Sequence, residues 1–391
     1  MQIQYINTPE KLAVLCQDLA GAPWLALDTE FLREKTYYSK FCLLQIATPS
    51  LVACVDPLAL ETIDNLLDII YNPEVVKVFH SARQDLEIFY HLRGSLPTPV
   101  FDTQVAAPLL GFQDNPGYAM LVSSWLNVNL TKEHTRTDWS SRPLSEGQIA
   151  YAADDVIYLA EIYQRMLKKL TDLGRLTWLK DDFDHLSDVT VYQANPELAW
   201  LKIRGLKKLT KKQLSVAQSL AQWRERSAQQ ENRPRNWLLR DDLIIDLARL
   251  QPNKIGELIK VRNLHERTVK RHGHELCALI QQAVQEEPVP RVATVTNADK
   301  NHHHDAIVDV LNAVVRIRAK ENSISASVLA SRKQLDELLQ NASESCLLQG
   351  WRASMVGNEL LAIISGELWV GVAADTIQIA SPEEISNNPG Q

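Results

Sequence analysis

The chain has 391 residues, a formal net charge of −7, and 45% apolar and 23% charged residues, values typical of a folded protein with two or three domains. It contains no apolar run near the roughly 20 residues that span a bilayer, and its first residues, MQIQYINTPEKL, lack the basic and apolar regions of a secretory signal. Its five cysteines are scattered and never in C-x-x-C spacing, which argues against a disulfide framework or a zinc site and predicts a cytoplasmic protein with reduced thiols.

The first part of the chain alternates between strand and helix patterns. QIQYI predicts a strand, and Thr8-Pro9-Glu10 predicts the start of a helix, because a capping threonine, a first-turn proline and an acid are typical of helix N-termini. The short apolar runs WLALDTEF, FCLLQIAT and LVACVDP predict three more strands, and VVKVFH and VFDT predict two that are each followed by a helix. This order indicates a mixed α/β sheet with helices on its faces.

A long helix is predicted from Ser145 to about Leu170, since Ser145 is a typical N-cap and apolar residues then recur at helical spacing. Beyond about residue 195 the strand pattern fades and two helical blocks follow, separated by the proline-bearing segment EEPVPRVATVTNADKNHHH. We therefore predict an α/β unit over 1–195, helical units over 205–290 and 300–375, and a polar tail over 376–391.

The two helical blocks resemble each other. RDDLIIDLARL and SRKQLDELLQ occupy similar places, and VKRHGHELCALI aligns with SMVGNELLAII at Gly273 and Gly357, with a period of about 84 residues. Duplication of a small helical domain explains this pattern, and two unrelated bundles that share a leucine periodicity are the alternative.

Positive charge is concentrated in the first helical block. Residues 201–280 contain 18 Lys and Arg against 8 Asp and Glu, so they carry a net charge of +10 in a chain that is acidic as a whole. A basic segment between acidic flanks is typical of proteins that bind a phosphate backbone. The second block has lost most of these basic residues.

Two acids end the apolar strand WLALDTEF. Asp28 and Glu30 are two residues apart, so their side chains are expected on the same face of the strand. A lone D-x-E pair is more often a solvated strand end. Here, however, four apolar residues precede the pair, and the carboxyl ends of buried strands are where open α/β sheets bind ligands.

Other candidate site residues lie on two predicted helices. Asp85 follows the strand VVKVFH by about one helical turn, and Tyr151 and Asp155 lie at i and i+4 on the long helix, so they point together. Asp154 is expected to face elsewhere. Each of these acids alone is more simply explained by a helix dipole or an exposed helix face.

Carboxylates that converge without a basic partner repel one another, so such a cluster requires cations. Oxygen ligands select Mg²⁺ or Mn²⁺, and two such ions about 4 Å apart clamp a phosphodiester for attack by water. If these acids meet in the fold, the chemistry that suits them is that of a metal-dependent phosphodiesterase.

The order D-x-E, then H-x-x-x-x-D, then Y-x-x-x-D resembles the DEDD family of 3′–5′ exonucleases, and the tyrosine marks its tyrosine subgroup. FHSARQDLEIF, FDTQVAAPLLG and TDWSSRPLSEGQIAYAADDVIYL resemble the ribonuclease D family in particular, and the basic helical block resembles a helicase-and-RNase-D C-terminal (HRDC) domain. The resemblance implies a ribonuclease H-like α/β exonuclease domain, with a mixed sheet flanked by helices, followed by two all-α HRDC helical bundles.

The resemblance also implies the chemistry. Asp28 should bridge two divalent ions, Mg²⁺ or Mn²⁺, with Glu30 and Asp155 completing one site, Asp85 supporting the second, and Tyr151 orienting the attacking water. The implied activity is a 3′–5′ exoribonuclease that releases 5′-nucleoside monophosphates from tRNA precursors and other small structured RNAs. We expect a monomer that needs neither a nucleotide cofactor nor a membrane.

Residues that contact RNA are harder to predict from the sequence. Gln45 and Phe31 are candidates near the acids, although Phe31 is equally compatible with the core. A basic run begins the first helical block and is either a phosphate-binding surface or a solvated helix face; its members are Lys202, Arg204, Lys207, Lys208, Lys211 and Lys212. Trp223 and Trp237 could stack on bases, but a place in the bundle core is the favoured prediction for both.

Two other functions remain open at this point. A DNA-directed 3′–5′ exonuclease would use the same acids, but the helical blocks argue against it. A non-catalytic RNA-binding scaffold is disfavoured because all five active-site residue types are present. A helicase is unsupported, because no Gly-Lys dipeptide occurs in the chain and a P-loop requires one.

Overall fold

The structure is a computed structural model that describes residues 2–130, 137–288, 303–373 and 376–382. Most of the predicted linker, 289–302, and the end of the predicted tail, 383–391, lie outside the described residues. Of the helices in the described ranges, none combines the length and the apolar character that a membrane span needs.

One six-stranded mixed sheet organises the N-terminal unit, as predicted. Its strands are β1 Ile3–Ile6, β2 Trp24–Leu32, β3 Lys40–Ala47, β4 Val52–Val55, β5 Val76–Phe79 and β6 Val100–Asp102, in the spatial order β1-β4-β3-β2-β5-β6. β2, β3 and β4 pair antiparallel, and β1, β5 and β6 join their neighbours in parallel. The strongly apolar strands reflect burial on both faces of the sheet.

Helices cover both faces of this sheet. They are α1 Pro9–Leu19, α2 Asp64–Ile70, α3 Arg83–Arg93, α4 Thr103–Ala106, α5 Tyr118–Leu126, α6 Glu146–Asp172 and α7 Lys180–Leu186. Leu25 and Leu27 of β2 face one core, which includes residues of α1, α2 and α3. Trp24 and Ala26, which alternate with them, face the other core beneath α6.

The long helix α6 starts where the sequence predicts. Ser145 is its N-cap and forms a capping box with Gln148, which satisfies backbone groups that a helix start otherwise leaves unpaired. The residues of α6 that face the sheet include the fully buried Ala152 and Ala153. Small side chains at these positions allow the helix to lie close to β2, β3 and β4.

The segment before α6 is held by a buried ion pair. Arg142 donates from Nε to Asp56 at 2.6 Å, and the Tyr5 hydroxyl donates to the same carboxylate at 2.6 Å. Burial opposes ionisation of Asp56, but the hydrogen bonds from Arg142 and Tyr5 outweigh it and lower the pKa of this carboxyl. Arg142 also donates to the carbonyls of Trp139 and Cys42, so it ties the entry of α6 to the sheet.

The first helical bundle follows several short 3₁₀ turns. It consists of α8 Lys211–Gln230, α9 Arg235–Leu238, α10 Asp241–Leu250, α11 Ile255–Leu258 and α12 Glu266–Ala283. Thr210 caps α8 with a capping box through Gln213. Trp200 and Trp223 lie in the apolar core of this bundle.

The second bundle repeats this order of long, short and medium helices. It contains α13 His304–Glu321, α14 Ala326–Leu329, α15 Arg332–Gln340, α16 Gly350–Arg352 and α17 Asn358–Ser365, with a π-helical turn at Ala353–Gly357. Gly273 lies within α12, and Gly357 lies at the corresponding junction before α17.

The prediction of an all-α second bundle that ends in a polar tail at 376 is wrong at its C-terminal end. Strands β7 Trp369–Ala373 and β8 Thr376–Ala380 pair antiparallel as a hairpin that crosses the predicted boundary. Val370 and Ile379 are opposite each other and pack on the bundle core. The β-branched residues of WVGVA and TIQIA were the signal for this hairpin in the sequence.

Both bundles contact the α/β unit. On one side the Tyr37 hydroxyl donates to Glu225 of α8, and the backbone N–H of Tyr37 donates to the Asn232 amide oxygen at 3.1 Å. On the other side the indole rings of Trp178 and Trp351 stack with centroids 4.5 Å apart. These contacts fix one side of each bundle against the unit that carries the acids.

Candidate active site

The site begins where β2 extends beyond the end of its parallel neighbour, β5. Only Trp24–Ala26 pair with β5, so the strand from Asp28 onward has no partner on that side, and a bulge follows Glu30. Asp28 and Glu30 point to the face that α6 covers, as their spacing predicts. Within the described residues, β3 pairs with β2 at these positions and β5 does not, so the edge beside the acids is open on the β5 side.

Helix α6 brings the third acid. One carboxylate oxygen each from Asp28, Glu30 and Asp155 lie within 4.8 Å of one another, and no other acid, histidine or cysteine of the described ranges joins this set. The hydroxyl of the half-buried Tyr118 donates to the backbone carbonyl of Asp155 at 2.6 Å, which holds this turn of α6 in place. Three acids that lie far apart in the sequence therefore meet in space.

Asp85 approaches from the other side of β2. It lies in the first turn of α3, is 6% exposed, and accepts a hydrogen bond of 2.6 Å from the Thr29 hydroxyl. Thr29 lies between Asp28 and Glu30 and points to the opposite face of the strand, so it links Asp85 to the acid pair. Asp85 itself is outside the set of three close oxygens.

Tyr151 lies one turn before Asp155 on α6. It is half-buried, and its ring stacks on Trp139 with centroids 6.3 Å apart. Trp139 belongs to the segment that Arg142 ties to the sheet, so the position of the tyrosine ring depends on that anchor as well as on the helix.

Mutual repulsion and burial dominate the electrostatics of the site. Burial, and then the charges of Asp155 and Asp85, raise the pKa of Glu30 to about 8. Burial and the charge of Asp154 raise the pKa of Asp155 to about 7. Burial, followed by the charges of Asp85, Asp155 and Glu30, raises the pKa of Asp28 well above its usual range.

The pKa of Asp85 is raised as well. Burial raises the pKa of its carboxyl to about 7, although the Thr29 hydrogen bond acts in the opposite direction. Among the described residues, no Lys, Arg or His forms an ion pair with any of these four carboxylates. A cluster of this kind is stable in its charged form only with cations bound.

The residues present therefore fit a divalent cation. The donor set consists of carboxylate oxygens alone, which suits Mg²⁺ or Mn²⁺ and does not suit metals that prefer sulfur or imidazole. Asp28, Glu30 and Asp155 are placed to hold such an ion. Asp85 lies on the opposite side of β2, where it accepts the hydrogen bond from Thr29.

The raised pKa values predict how stability depends on pH without metal. The folded site retains protons up to about pH 7 to 8, whereas the unfolded chain releases them near the ordinary carboxyl pKa values of 3.8 and 4.5. The folded state thus binds more protons across this window, so stability falls as pH rises through it. In EDTA we expect Tm to decrease between pH 5 and pH 8.

Added Mn²⁺ should reverse this loss, and more strongly at pH 8, because metal then competes with fewer protons. Thermal unfolding at each pH, with EDTA or with Mn²⁺, measures both effects. The Asp28→Asn variant is the control and should show a shallower pH dependence in EDTA. A metal effect that is equal at pH 5 and pH 8 would contradict the assignment of protons to this cluster.

The residues predicted to contact RNA differ in how far the structure exposes them. Gln45 does not fit that role: it pairs with Asp28 on β3, but its side chain is fully buried beneath α6, and neither amide atom has a hydrogen-bond partner among the described residues. Phe31 is half-buried at the end of β2. The six basic residues of the run are all exposed; they are Lys202, Arg204, Lys207, Lys208, Lys211 and Lys212.

Sequence reasoning missed two residues that organise the site. Thr29 is the middle residue of the D-x-E motif, and the motif itself assigns it no role. Asp102 is buried, and its carboxylate accepts from the backbone N–H groups of Ser81 at 3.0 Å and Ala82 at 2.8 Å, which fixes the turn that leads into α3 and Asp85. An acid that directly follows the apolar strand residues Val100 and Phe101 was the available signal.

Comparison with known proteins places the chain among nucleases. Residues 3–171 match the family described as 3′–5′ exonuclease, and residues 213–280 match the HRDC domain. The ribonuclease D of Jannaschia is 36% identical over 382 residues, which cover 96% of this chain and 98% of that protein. The ribonuclease D of Gluconacetobacter diazotrophicus is 38% identical and covers 94% of each chain.

A solved structure agrees with these relatives. The crystal structure of Escherichia coli RNase D, described as an exoribonuclease involved in structured RNA processing, superposes with a TM-score of 0.79 at 31% identity. The superposition covers 93% of this chain and 99% of that one.

Proposed function

The chain belongs to the ribonuclease D family and is a 3′–5′ exoribonuclease, and from this premise we propose that it trims the 3′ ends of tRNA precursors and other small structured RNAs. The observation that carries the proposal is the convergence of Asp28, Glu30 and Asp155 within 4.8 Å. The products are 5′-nucleoside monophosphates, released singly from a 3′-hydroxyl end.

The acids hold two divalent ions in this proposal. Asp28 would contribute to both ion sites, Glu30 and Asp155 would complete one of them, and Asp85 would support the other. When bound, such ions lower the pKa of water and stabilise the charge on the attacking and departing oxygens of a phosphodiester. The protein fixes the four carboxylates, and no Lys, Arg or His among the described residues forms an ion pair that would neutralise them.

Tyr151 orients the attacking water through its hydroxyl. A phenol has an ordinary pKa near 10, so a hydrogen bond to water is better supported than removal of a proton by phenolate. The stack on Trp139 limits the directions in which the ring can point.

We expect Tyr151→Phe to lower turnover by about 10²-fold, the usual effect of losing one positioned hydrogen-bonding group in an active site. Asp154→Asn should leave turnover near the parent value, because Asp154 is outside the set of three oxygens. Initial rates on a 3′-labelled oligoribonucleotide measure both. A larger loss for Asp154→Asn than for Tyr151→Phe would show that the wrong face of α6 was assigned.

The basic run binds phosphates of the RNA in this proposal. None of its six side chains makes an ion pair or a hydrogen bond within the described part of the chain. Lys211 and Lys212 occupy the first turn of α8, where the helix dipole disfavours positive charge, so they are placed at some cost to stability. Such unpaired cations are available to an anionic ligand.

We expect Lys211→Ala/Lys212→Ala to weaken RNA binding and to reduce the slope of log affinity against log salt by about 1.4, since each single-strand phosphate contact contributes about 0.7. The measurement is RNA affinity in EDTA at several salt concentrations. Lys168→Ala/Lys180→Ala is the control, because both of those lysines pair with aspartates on their own helices. An equal change in the two double variants would refute a specific role for the run.

The second bundle is proposed to be a second HRDC-like domain. Its support is the repeated order of long, short and medium helices and the corresponding positions of Gly273 and Gly357. We propose domain limits of 1–195, 205–290 and 300–375, with the hairpin as an extension of the last. A cytoplasmic monomer is proposed as well, and the five free thiols support a reducing compartment.

The decisive assay uses a tRNA precursor with a 3′ extension, labelled at its 5′ end and incubated with Mg²⁺. A ladder of products that shorten by one nucleotide supports the proposal, and EDTA should abolish it. A DNA oligonucleotide of the extension sequence, incubated in parallel, tests the DNA-directed alternative. Degradation of DNA at the rate of RNA would contradict an RNA-directed enzyme.

A further inference from the structure

One tryptophan of the first bundle is exposed. Trp237 of α9 is 56% exposed, whereas Trp200 and Trp223 of the same bundle are 3% and 8% exposed. The favoured prediction of a core position is therefore right for Trp223 and wrong for Trp237. An exposed indole is informative because it gains nothing for the core, and flat aromatic surfaces bind nucleobases by stacking.

Positive side chains surround this indole. Trp237 lines a cavity of about 850 Å³ together with Arg233, Arg267 and Arg271. Arg233 and Arg271 both lie near Glu231, at 3.8 and 3.2 Å. Arg267 is exposed and has no ion pair or hydrogen bond within the described ranges. The cavity therefore offers an unpaired guanidinium beside an aromatic platform.

A second cavity adjoins the first, and Asn236 lines both. Its volume is about 500 Å³, and its lining includes Arg33 of the α/β unit and Lys202, which precedes the first bundle. Arg33 is three residues beyond Glu30, which corresponds to about 10 Å along an extended chain. The hydrogen bonds of Tyr37 to Glu225 and Asn232 join the two walls.

We propose that these two connected cavities, the Trp237 groove, bind the single-stranded part of the RNA that lies 5′ to the nucleotide being removed. A base stacks on Trp237, and Arg267 contacts a phosphate. The inference rests on the proposed function, because it takes the 3′ end to be at Asp28, Glu30 and Asp155.

The chemistry of the groove favours RNA over an acidic peptide. Cations outnumber the acids in the walls of both cavities, which suits a polyanion. An exposed indole beside guanidinium groups is typical of sites that hold single strands without sequence preference. The groove is separate from most of the basic run: Lys202 lines it, whereas Lys207, Lys208, Lys211 and Lys212 do not.

Two variants test the two contacts separately. Affinity for a twelve-nucleotide oligoadenylate is measured in EDTA, so that the RNA is not degraded. Trp237→Ala should weaken binding by about tenfold, within the range measured for loss of one stacked base, and Trp237→Phe should restore most of it. Arg267→Ala should reduce the salt slope by about 0.7, the contribution of one single-strand phosphate contact, whereas Trp237→Ala should leave the slope unchanged.

The second bundle offers matched controls. Trp369 is 59% exposed on the hairpin, and Arg316 is exposed on α13. Trp369→Ala and Arg316→Ala should bind the oligoadenylate as the parent protein does. If Trp237→Ala and Arg267→Ala bind the oligoadenylate with the affinity and salt slope of the parent protein, the proposal that the Trp237 groove binds RNA is wrong.

Hydrolysis of a diadenylate with Mg²⁺ separates this inference from the function on which it rests. In this proposal a dinucleotide fills only the carboxylate site and makes no contact with Trp237. Both groove variants should therefore cleave it at the parent rate while cleaving the oligoadenylate more slowly at low concentration. If the parent protein cleaves both RNAs and both groove variants cleave them at the parent rates, the groove is refuted and the proposed function is not. A parent protein that cleaves neither RNA refutes the proposed function.

Discussion

Replacing Asp28 with Asn is expected to reduce RNA hydrolysis by about 10³-fold or more, because divalent ions contribute several kcal/mol of charge stabilisation and Asp28 lies among all the other acids of the site. Burial raises the pKa of Asp28, and the charges of Asp85, Asp155 and Glu30 raise it further. RNA affinity in EDTA should be largely unchanged, since the basic run and the Trp237 groove remain intact. Initial rates and binding of the same labelled RNA measure the two effects.

The stability of this variant distinguishes loss of metal from loss of fold. Removal of one charge from a repulsive cluster should raise Tm in EDTA at pH 8 and should reduce the further stabilisation by Mn²⁺. Turnover equal to that of the parent protein would contradict the metal assignment. Lost activity with a lowered Tm in EDTA would show that Asp28 serves the fold instead.

Gly357→Ala is expected to have the largest effect on stability. A Cβ atom at this position would lie 1.8 Å from the Leu347 carbonyl oxygen and 2.8 Å from its carbon, and both are backbone atoms that cannot rotate away. We expect the second bundle to lose about 3 kcal/mol, at the upper end of the usual cost of overpacking. Urea unfolding of the full chain measures this loss.

Gly273→Ala is the matched control in the first bundle. A Cβ atom there would lie 3.3 Å from Cγ1 of Val269, a side chain that can shift, and alanine in a helix interior is favoured over glycine by about 1 kcal/mol. We expect a change in unfolding free energy near zero for this variant. A larger loss for Gly273→Ala than for Gly357→Ala would contradict the packing seen at the π-helical turn.

The nuclease site could be predicted in outline because its signals are local. The two-residue spacing of Asp28 and Glu30 sets a common face on any strand, and the four-residue spacing of Tyr151 and Asp155 does so on any helix. Ser145 and the apolar spacing after it located the start of α6, with Ser145 as its N-cap. The resemblance supplied what the spacing could not, namely that these segments meet.

The remaining features depend on packing between distant segments. Burial of Gln45 beneath α6 follows from the register of β2 and β3, and the position of Asp85 behind Thr29 follows from the approach of α3 to the strand end. Exposure of Trp237 could not be distinguished from burial by spacing, because α9 has only four residues. The β7–β8 hairpin was visible as alternating β-branched residues, but the leucine periodicity before it favoured a helical domain and a frayed tail.

The central claim is that acids from three segments hold divalent ions together at one site. A crystal soaked with Mn²⁺ and measured at the manganese absorption edge tests it directly. We predict anomalous density between the carboxylates of Asp28, Glu30 and Asp155, with a second peak toward Asp85. Anomalous density elsewhere, with these three side chains turned away from one another, would contradict the account.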